Sequence, residues 1–350
     1  MLNLFEGDAF SVVRLTQAIN DLKYAPSRLA ELGIFEVESV DTTKVAIERQ
    51  ADQLVIVPPT LRGAPGATIG AAPPRDLRTL EVPHFEVNDS FVAESVQNVR
   101  DFGEEAALVA VTKKIAQQMA VAVNSFAATE EHARMGAVKG IVTYADGSTL
   151  NLFNEFGVAP EPVLEWDLSN ANPAEGALRR KCAQITRRVA DLLGGIRFTR
   201  VHALCGDNFF DDLLAHREVR ESYKGWSESK ILRESYVGTD RPSAHGVFEF
   251  GGIVWENYRG ASIQSARGGA LQTFIGPDEC HLFPLGVPGL FRTVYAPADW
   301  EDTVNTLGRR LYTRQSPWPN GKGRALDSQM NALQYCSRPK VLMSGIRGTL

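Results

Sequence analysis

Gly103-Glu-Glu-Ala-Ala-Leu-Val-Ala-Val-Thr-Lys-Lys-Ile-Ala-Gln-Gln-Met-Ala-Val-Ala-Val-Asn-Ser-Phe126 opens the longest periodic stretch of the chain. Its apolar residues Leu108, Val111, Ile115, Met119, Ala122 and Phe126 recur at steps of three and four, the repeat of one helix face. Asp101, Glu104 and Glu105 crowd the start, where carboxylates favour the positive end of the helix dipole. No proline interrupts the pattern, and Gly136 reads as a C-cap. The spacing predicts one helix over 103–136. At ~1.5 Å per residue it is about 50 Å long, far beyond the usual helix. A stripe of that length needs a sheet or a partner helix along all of it.

Downstream, Ile141 to Phe153 reads as a hairpin (140–153) with Asp146-Gly147 in the turn, the strongest short hairpin signal in the sequence. A second amphipathic helix is predicted from about Ala174 to Leu193, with Leu178, Cys182, Ile185, Val189 and Leu192 on one face. Gly194-Gly195 stops it. Phe198–Leu204 reads as a buried strand followed by a helix over Asn208–His216, and residues 217–240 are polar and weakly patterned. Val247 to Tyr258 is strongly β, broken at Gly251-Gly252 by a bulge or a turn. Further β segments are Cys280–Leu285, Leu290–Tyr295, Arg310–Arg314, Ala325–Cys336 and Val341–Met343.

Upstream, residues 1–40 read as two short helical pieces, the second starting after Pro26. Between Leu54 and Leu80, eight of 27 residues are Gly or Pro, so the stretch cannot build a core of its own. It reads either as a disordered linker or as an extended two-stranded loop, out through Val55–Val57 and back through Arg78–Val82. An extended hairpin is marginal alone, so the second reading implies a partner surface. Helices, then a β loop, then a long helix, then mixed elements make the chain α+β.

The 350 residues carry a net charge of −5, and 44% are hydrophobic, which excludes wholly disordered and low-complexity classes. No apolar run is long enough to span a membrane, and no secretory signal opens the chain. A protein whose main task is gripping a polyanion is usually basic, so that reading starts behind. The balance is uneven, however. From Arg309 to Leu350 there are eight basic residues and one acid, a net of +7, which leaves −12 to the rest. Contacts between subunits are favoured over nucleic acid for that tail.

Catalytic signatures are lacking. The four cysteines are scattered and the six histidines never fall in metal-ligand spacing. Cys205 with His202 and Asp207 is the best enzymatic candidate, a thiol hydrolase. On an extended strand residues 202 and 205 point to opposite faces, so a buried structural cysteine is favoured. Glu130-Glu131 and Asp211-Asp212 are adjacent on predicted helices and suit a solvated face better than an acid/base pair. Arg179, Arg180, Lys181, Arg187 and Arg188 read as a solvated or intersubunit face ahead of a phosphate track. No catalytic residue, metal or cofactor is expected.

The run Gly289-Leu-Phe-Arg-Thr-Val-Tyr-Ala-Pro-Ala-Asp-Trp-Glu-Asp-Thr-Val-Asn-Thr-Leu-Gly308 resembles a stretch of the major capsid proteins of lambda-like tailed bacteriophages, the capsid protein E family. Ser328-Gln-Met-Asn-Ala-Leu333, Cys336-Ser-Arg-Pro-Lys340, Phe250 to Gly260, Ala145-Asp-Gly-Ser148 and Leu32-Gly-Ile-Phe35 are similar to that family in the same order. Ala332-Leu-Gln-Tyr335 and Leu307-Gly-Arg-Arg310 depart from its pattern, and no shell-crosslinking lysine can be matched.

The resemblance implies the Hong Kong 97 capsid fold. It divides the chain into an N-arm (1–40), an extended E-loop (41–90), and a peripheral domain (91–160) with the spine helix and the hairpin. An axial domain (161–290) and C-terminal returning strands (291–350) complete it. It also implies a virion protein, assembled in the host bacterial cytoplasm as pentamers and hexamers around double-stranded DNA. Its partners would be further copies of itself, a scaffolding protein, a portal and a decoration protein, with no membrane. Expected contacts between subunits are Leu61, Arg62, Thr68, Arg75, Arg78, Arg309, Arg310 and Arg314. A non-viral compartment shell of the same fold is the nearest alternative, and a cysteine hydrolase the alternative from another class.

Overall fold

The computed structural model describes residues 12–21, 28–49, 76–92, 104–170, 172–224, 246–258 and 274–348. In chain order the helices are α1 (Val12–Asp21), α2 (Arg28–Glu31), α3 (Glu104–Lys139), α4 (Leu152–Glu155), α5 (Ala177–Leu193), α6 (Asp207–Ala215) and α7 (Arg217–Lys224). The strands of the first part are β1 (Phe35–Ser39), β2 (Lys44–Arg49), β3 (Asp76–Glu81), β4 (His84–Val92), β5 (Ile141–Thr143), β6 (Thr149–Asn151) and β7 (Leu164–Glu165). They continue with β8 (Arg200–Cys205), β9 (Val247–Phe250), β10 (Ile253–Asn257), β11 (Glu279–Leu285), β12 (Phe291–Tyr295), β13 (Tyr312–Pro317), β14 (Gly323–Cys336) and β15 (Met343–Ile346). The chain divides into two compact units, one of residues 1–46, 79–134 and 291–335, the other of 47–78, 135–290 and 336–350.

In the first unit the long strand β14 organises a five-stranded sheet. β4 and β13 both pair with it antiparallel over Arg324–Gln329, and β12 carries β1 in parallel at the far side. Helices α1 and α3 cover this sheet. Leu15 and Ile19 of α1 and Ile115, Met119, Ala122, Val123 and Phe126 of α3 pack with Tyr295, Leu311, Leu326, Met330 and Ala332. The helical stripe read from sequence therefore does face a sheet. The side chains of Leu108 and Val111 fall outside the described residues.

Helix α3 runs past the expected stop, to Lys139. Gly136 is not its C-cap. That position is glycine because a Cβ there would stand 2.7 Å from the Cα of Val142, where β5 returns against the helix. The chain turns instead at Gly140, whose φ of 83° only glycine adopts easily. Between β5 and β6, Asp146 Oδ1 accepts hydrogen bonds from the Ser148 amide and hydroxyl, and Gly147 takes a φ of 87°. The second arm ends earlier than read, because Asn151 caps α4 by accepting from the amides of Phe153 and Asn154.

The second unit is built on a six-stranded sheet in the order β7-β15-β11-β8-β10-β9. β8 is its hinge of direction, parallel to β10 and antiparallel to β11. The Gly251-Gly252 break is a tight turn joining β9 to β10, not a bulge. One sheet face carries Trp255, with Trp166 edge-on at 5.0 Å and Phe209 stacked at 6.0 Å. The polar stretch after residue 216 contains a further helix, α7, which the sequence pattern concealed: among its described side chains, those of residues 217–222, only Val219 is buried.

The pair β2–β3 forms a separate two-stranded sheet. It stands at the base of the Gly/Pro-rich stretch, and Val55–Val57, the outgoing strand of the extended-loop reading, lie outside the described residues. Gly136→Ala checks the packing of β5 on α3. Helix propensity alone favours alanine by about 1 kcal/mol. The contact with Val142 is expected to reverse the sign and cost about 1–3 kcal/mol, read as a lowered urea midpoint of the unassembled chain.

Candidate functional site

Among the described residues of the first unit, the carboxylate of Glu130 is met by three side chains and is 1% exposed. Arg134, one helical turn on, donates to Oε1 at 2.8 Å, and the Tyr295 hydroxyl donates to the same oxygen. Arg310 donates to Oε2 from Nε at 3.1 Å and from Nη2 at 3.0 Å, so two prongs of the guanidinium meet one carboxylate oxygen. Burial and the Glu130 carboxylate push the Tyr295 phenol well above its ordinary range, so it stays a donor. Glu131 is buried as well, and its Oε1 accepts from the Leu29 amide at 2.8 Å, at the N-terminal end of α2. The expectation that Glu130-Glu131 lies on a solvated face is thus wrong. Both carboxylates are inside, because partners more than a hundred residues away meet them. Only the Glu130–Arg134 spacing was visible locally.

Asp211 and Asp212 do sit towards solvent, and Asp212 pairs with Arg347 at 3.0 Å. The enzymatic candidate does not assemble. His202 Nε2 lies 3.0 Å from Glu256 Oε2, both buried, and the His202 ring rests 5.5 Å from Phe283. Cys205 is on the opposite face, registered against Cys280. Burial raises both thiols well above their ordinary range, and holds Cys182 and Cys336 up at about 12. A thiol that is buried and protonated is no nucleophile. Among the described residues no cluster of ligands could hold a metal.

Of the expected contact residues, Leu61, Arg62, Thr68 and Arg75 lie outside the described residues. Arg78 reaches the last turn of α4, donating to the carbonyls of Asn154, at 3.4 Å, and Glu155. It meets carbonyls that a helix end leaves open. Arg309 is exposed, its amide donating to the Tyr312 hydroxyl at 2.8 Å. Arg314 is half-buried in β13 opposite Asp327 of β14. Arg310 differs from all of these, since its guanidinium is committed to Glu130.

The model of the phage major capsid protein E family matches residues 11–347. The chain belongs to this family. A major capsid protein of Pseudomonas phage KPP10 is 27% identical over 326 residues, covering 90% of each chain. A crystal structure of a candidate capsid protein from a prophage of E. coli CFT073 shares the fold, with a TM-score of 0.60 at 14% identity over 96% of this chain and 98% of that one. The α+β architecture is therefore that of the Hong Kong 97 capsid fold. The protein E family is a capsid structural family and not an enzyme family, in keeping with a buried Cys205 that faces away from His202.

For a capsid protein E subunit the ion cluster separates two adjacent arginines. Arg310→Glu would set a carboxylate beside buried Glu130 and is expected to cost about 3–5 kcal/mol in urea unfolding of the unassembled chain. Arg309→Glu should move it by no more than about 0.5 kcal/mol. A thiol reagent should label the native chain hardly at all and all four cysteines after denaturation, all four being buried.

Proposed function

We propose that the chain is the shell subunit of a tailed phage head, assembling as pentamers and hexamers into an icosahedral container for double-stranded DNA. The match to the family model over residues 11–347 carries this reading, since it leaves almost no part of the chain for a different task. Residues 1–40 serve as an N-arm, 41–90 as an E-loop, 91–160 as a peripheral domain, 161–290 as an axial domain and 291–350 as returning strands. Assembly takes place in the host bacterial cytoplasm with a scaffolding protein, around a portal, and a decoration protein completes the surface.

The isolated β2–β3 pair supports the loop assignment. Two strands alone are marginal in water, and a neighbouring subunit supplies the surface they lack. Leu61, Arg62, Thr68, Arg75, Arg78, Arg309 and Arg314 contribute contacts there, while Arg310 acts from within the subunit. Shell geometry multiplies such contacts, so each can be weak. Deleting residues 58–76 should leave a folded, soluble chain that no longer forms shells under negative-stain microscopy. Normal particles from that deletion would refute the loop assignment.

A further inference from the structure

Between Ala177 and Arg200 stand seven basic residues and one acid, Asp191, a net of +6 that leaves −11 to the rest of the chain. The structure divides these seven into two groups. Arg188 is held by Glu161 at 2.8 and 2.9 Å, and Arg179 lies 5.9 Å over the Phe250 ring and bonds Ser222. Lys181 bonds the Glu165 carbonyl and lies over Trp166. Arg180, Arg187, Arg197 and Arg200 are exposed, and among the described residues no carboxylate comes within ion-pair distance of them. The basic C-terminal segment is different: Arg310 is met by Glu130, Arg347 by Asp212 and Asp278, and Arg314 faces Asp327. Arg309, Lys322 and Lys340 of that segment are exposed as well, but they are spread from residue 309 to 340, whereas the four open arginines gather on α5, the turn after it and the start of β8.

Arg180, Gln184 and Arg187 share one exposed helix face, with the two arginines about 10 Å apart along the axis. Arg197 and Arg200 follow beyond the exposed Gly194-Gly195 turn, and a Cβ added at Gly194 would meet nothing within 4 Å. The large exposed hydrophobics among the described residues are Val37, Val92, Val121, Ile141, Val163, Val304 and Leu307, all outside this strip. Interfaces between proteins have an apolar centre with a polar rim. A strip of four arginines, small residues, Gln184 and the exposed carboxylate of Asp191 has no such centre, and its net charge stays positive. Guanidinium groups with open approach suit phosphate oxygens.

We propose that the α5 strip, through Arg180, Arg187, Arg197 and Arg200, contacts the phosphate backbone of double-stranded DNA without reading its sequence. The identity of the occupant rests on the shell function proposed above, and the strip then marks a face of the second unit that borders the packaged genome. Four contacts per copy on a chain otherwise at −11 hold DNA weakly, and repetition over the shell makes the sum appreciable.

The test compares the full-length chain with Arg187→Gln/Arg197→Gln, and with Arg309→Gln as control, for binding a mixed-sequence duplex of about 30 base pairs by fluorescence anisotropy over a salt series. The wild type should bind with a log–log salt slope of about −3 to −4. The double variant should bind about tenfold more weakly at low salt, with a slope shallower by about 2, and the control should match the wild type. The same preparations are imaged for particles. Equal DNA affinity of variant and wild type would overturn the proposal. Loss of particles with DNA affinity unchanged would also overturn it, making the strip a contact between subunits. DNA binding that falls as expected in the double variant upholds the strip whether or not the isolated chain forms shells, while a chain that forms none even together with its head proteins rejects the shell reading, so the two fail separately.

Discussion

A carboxylate taken out of water must be matched where it lies, and in the first unit Glu130 sets that condition. It draws a donor from its own helix, one from β12 and a two-pronged one from the segment leading into β13. Glu131 extends the arrangement to α2. Apolar packing of α3 on the sheet is non-directional. The bonds to Glu130 are directional, and each needs its donor in place. They fix the register of a long helix on a broad sheet, which is what an ion cluster contributes beyond its modest net stabilisation.

Local rules carried the sequence reading as far as local rules apply. The steps of three and four from Ile115 to Phe126, Asp146-Gly147 and Gly251-Gly252 each act within a few residues, so their outcome is written where they stand. The failures share a cause. Gly136 answers to Val142 across a turn, Glu130 to Tyr295 and Arg310, and Leu29 to Glu131. No window of sequence contains both ends of such pairs. The family resemblance reached the fold by another route, because motifs in a fixed order along the whole chain carry tertiary information that spacing alone does not.

Charge shows the same limit. The basic excess after residue 308 is plain in the sequence, yet folding brings acids to Arg310, Arg314 and Arg347 and leaves Arg309, Lys322 and Lys340 exposed and apart. The excess around α5 is similar in size and stays at the surface for four of its members. What a partner meets is the charge left after the chain has used its own, and that remainder is a property of the fold. The candidate catalytic group failed for a related reason, since His202 has its acid in Glu256 on the next strand.

Both compact units are discontinuous in sequence, and the chain passes between them at 46/47, 78/79, 134/135, 290/291 and 335/336. The strand that organises one sheet, β14, and a strand of the other, β15, both come after residue 322. During synthesis neither sheet is whole until the ribosome has passed those strands. A chain stopped before them exposes the apolar faces of α1 and α3 and has no finished surface to offer a neighbour. Order of translation thus bears on assembly, because both sheets wait for β14 and β15 to be made.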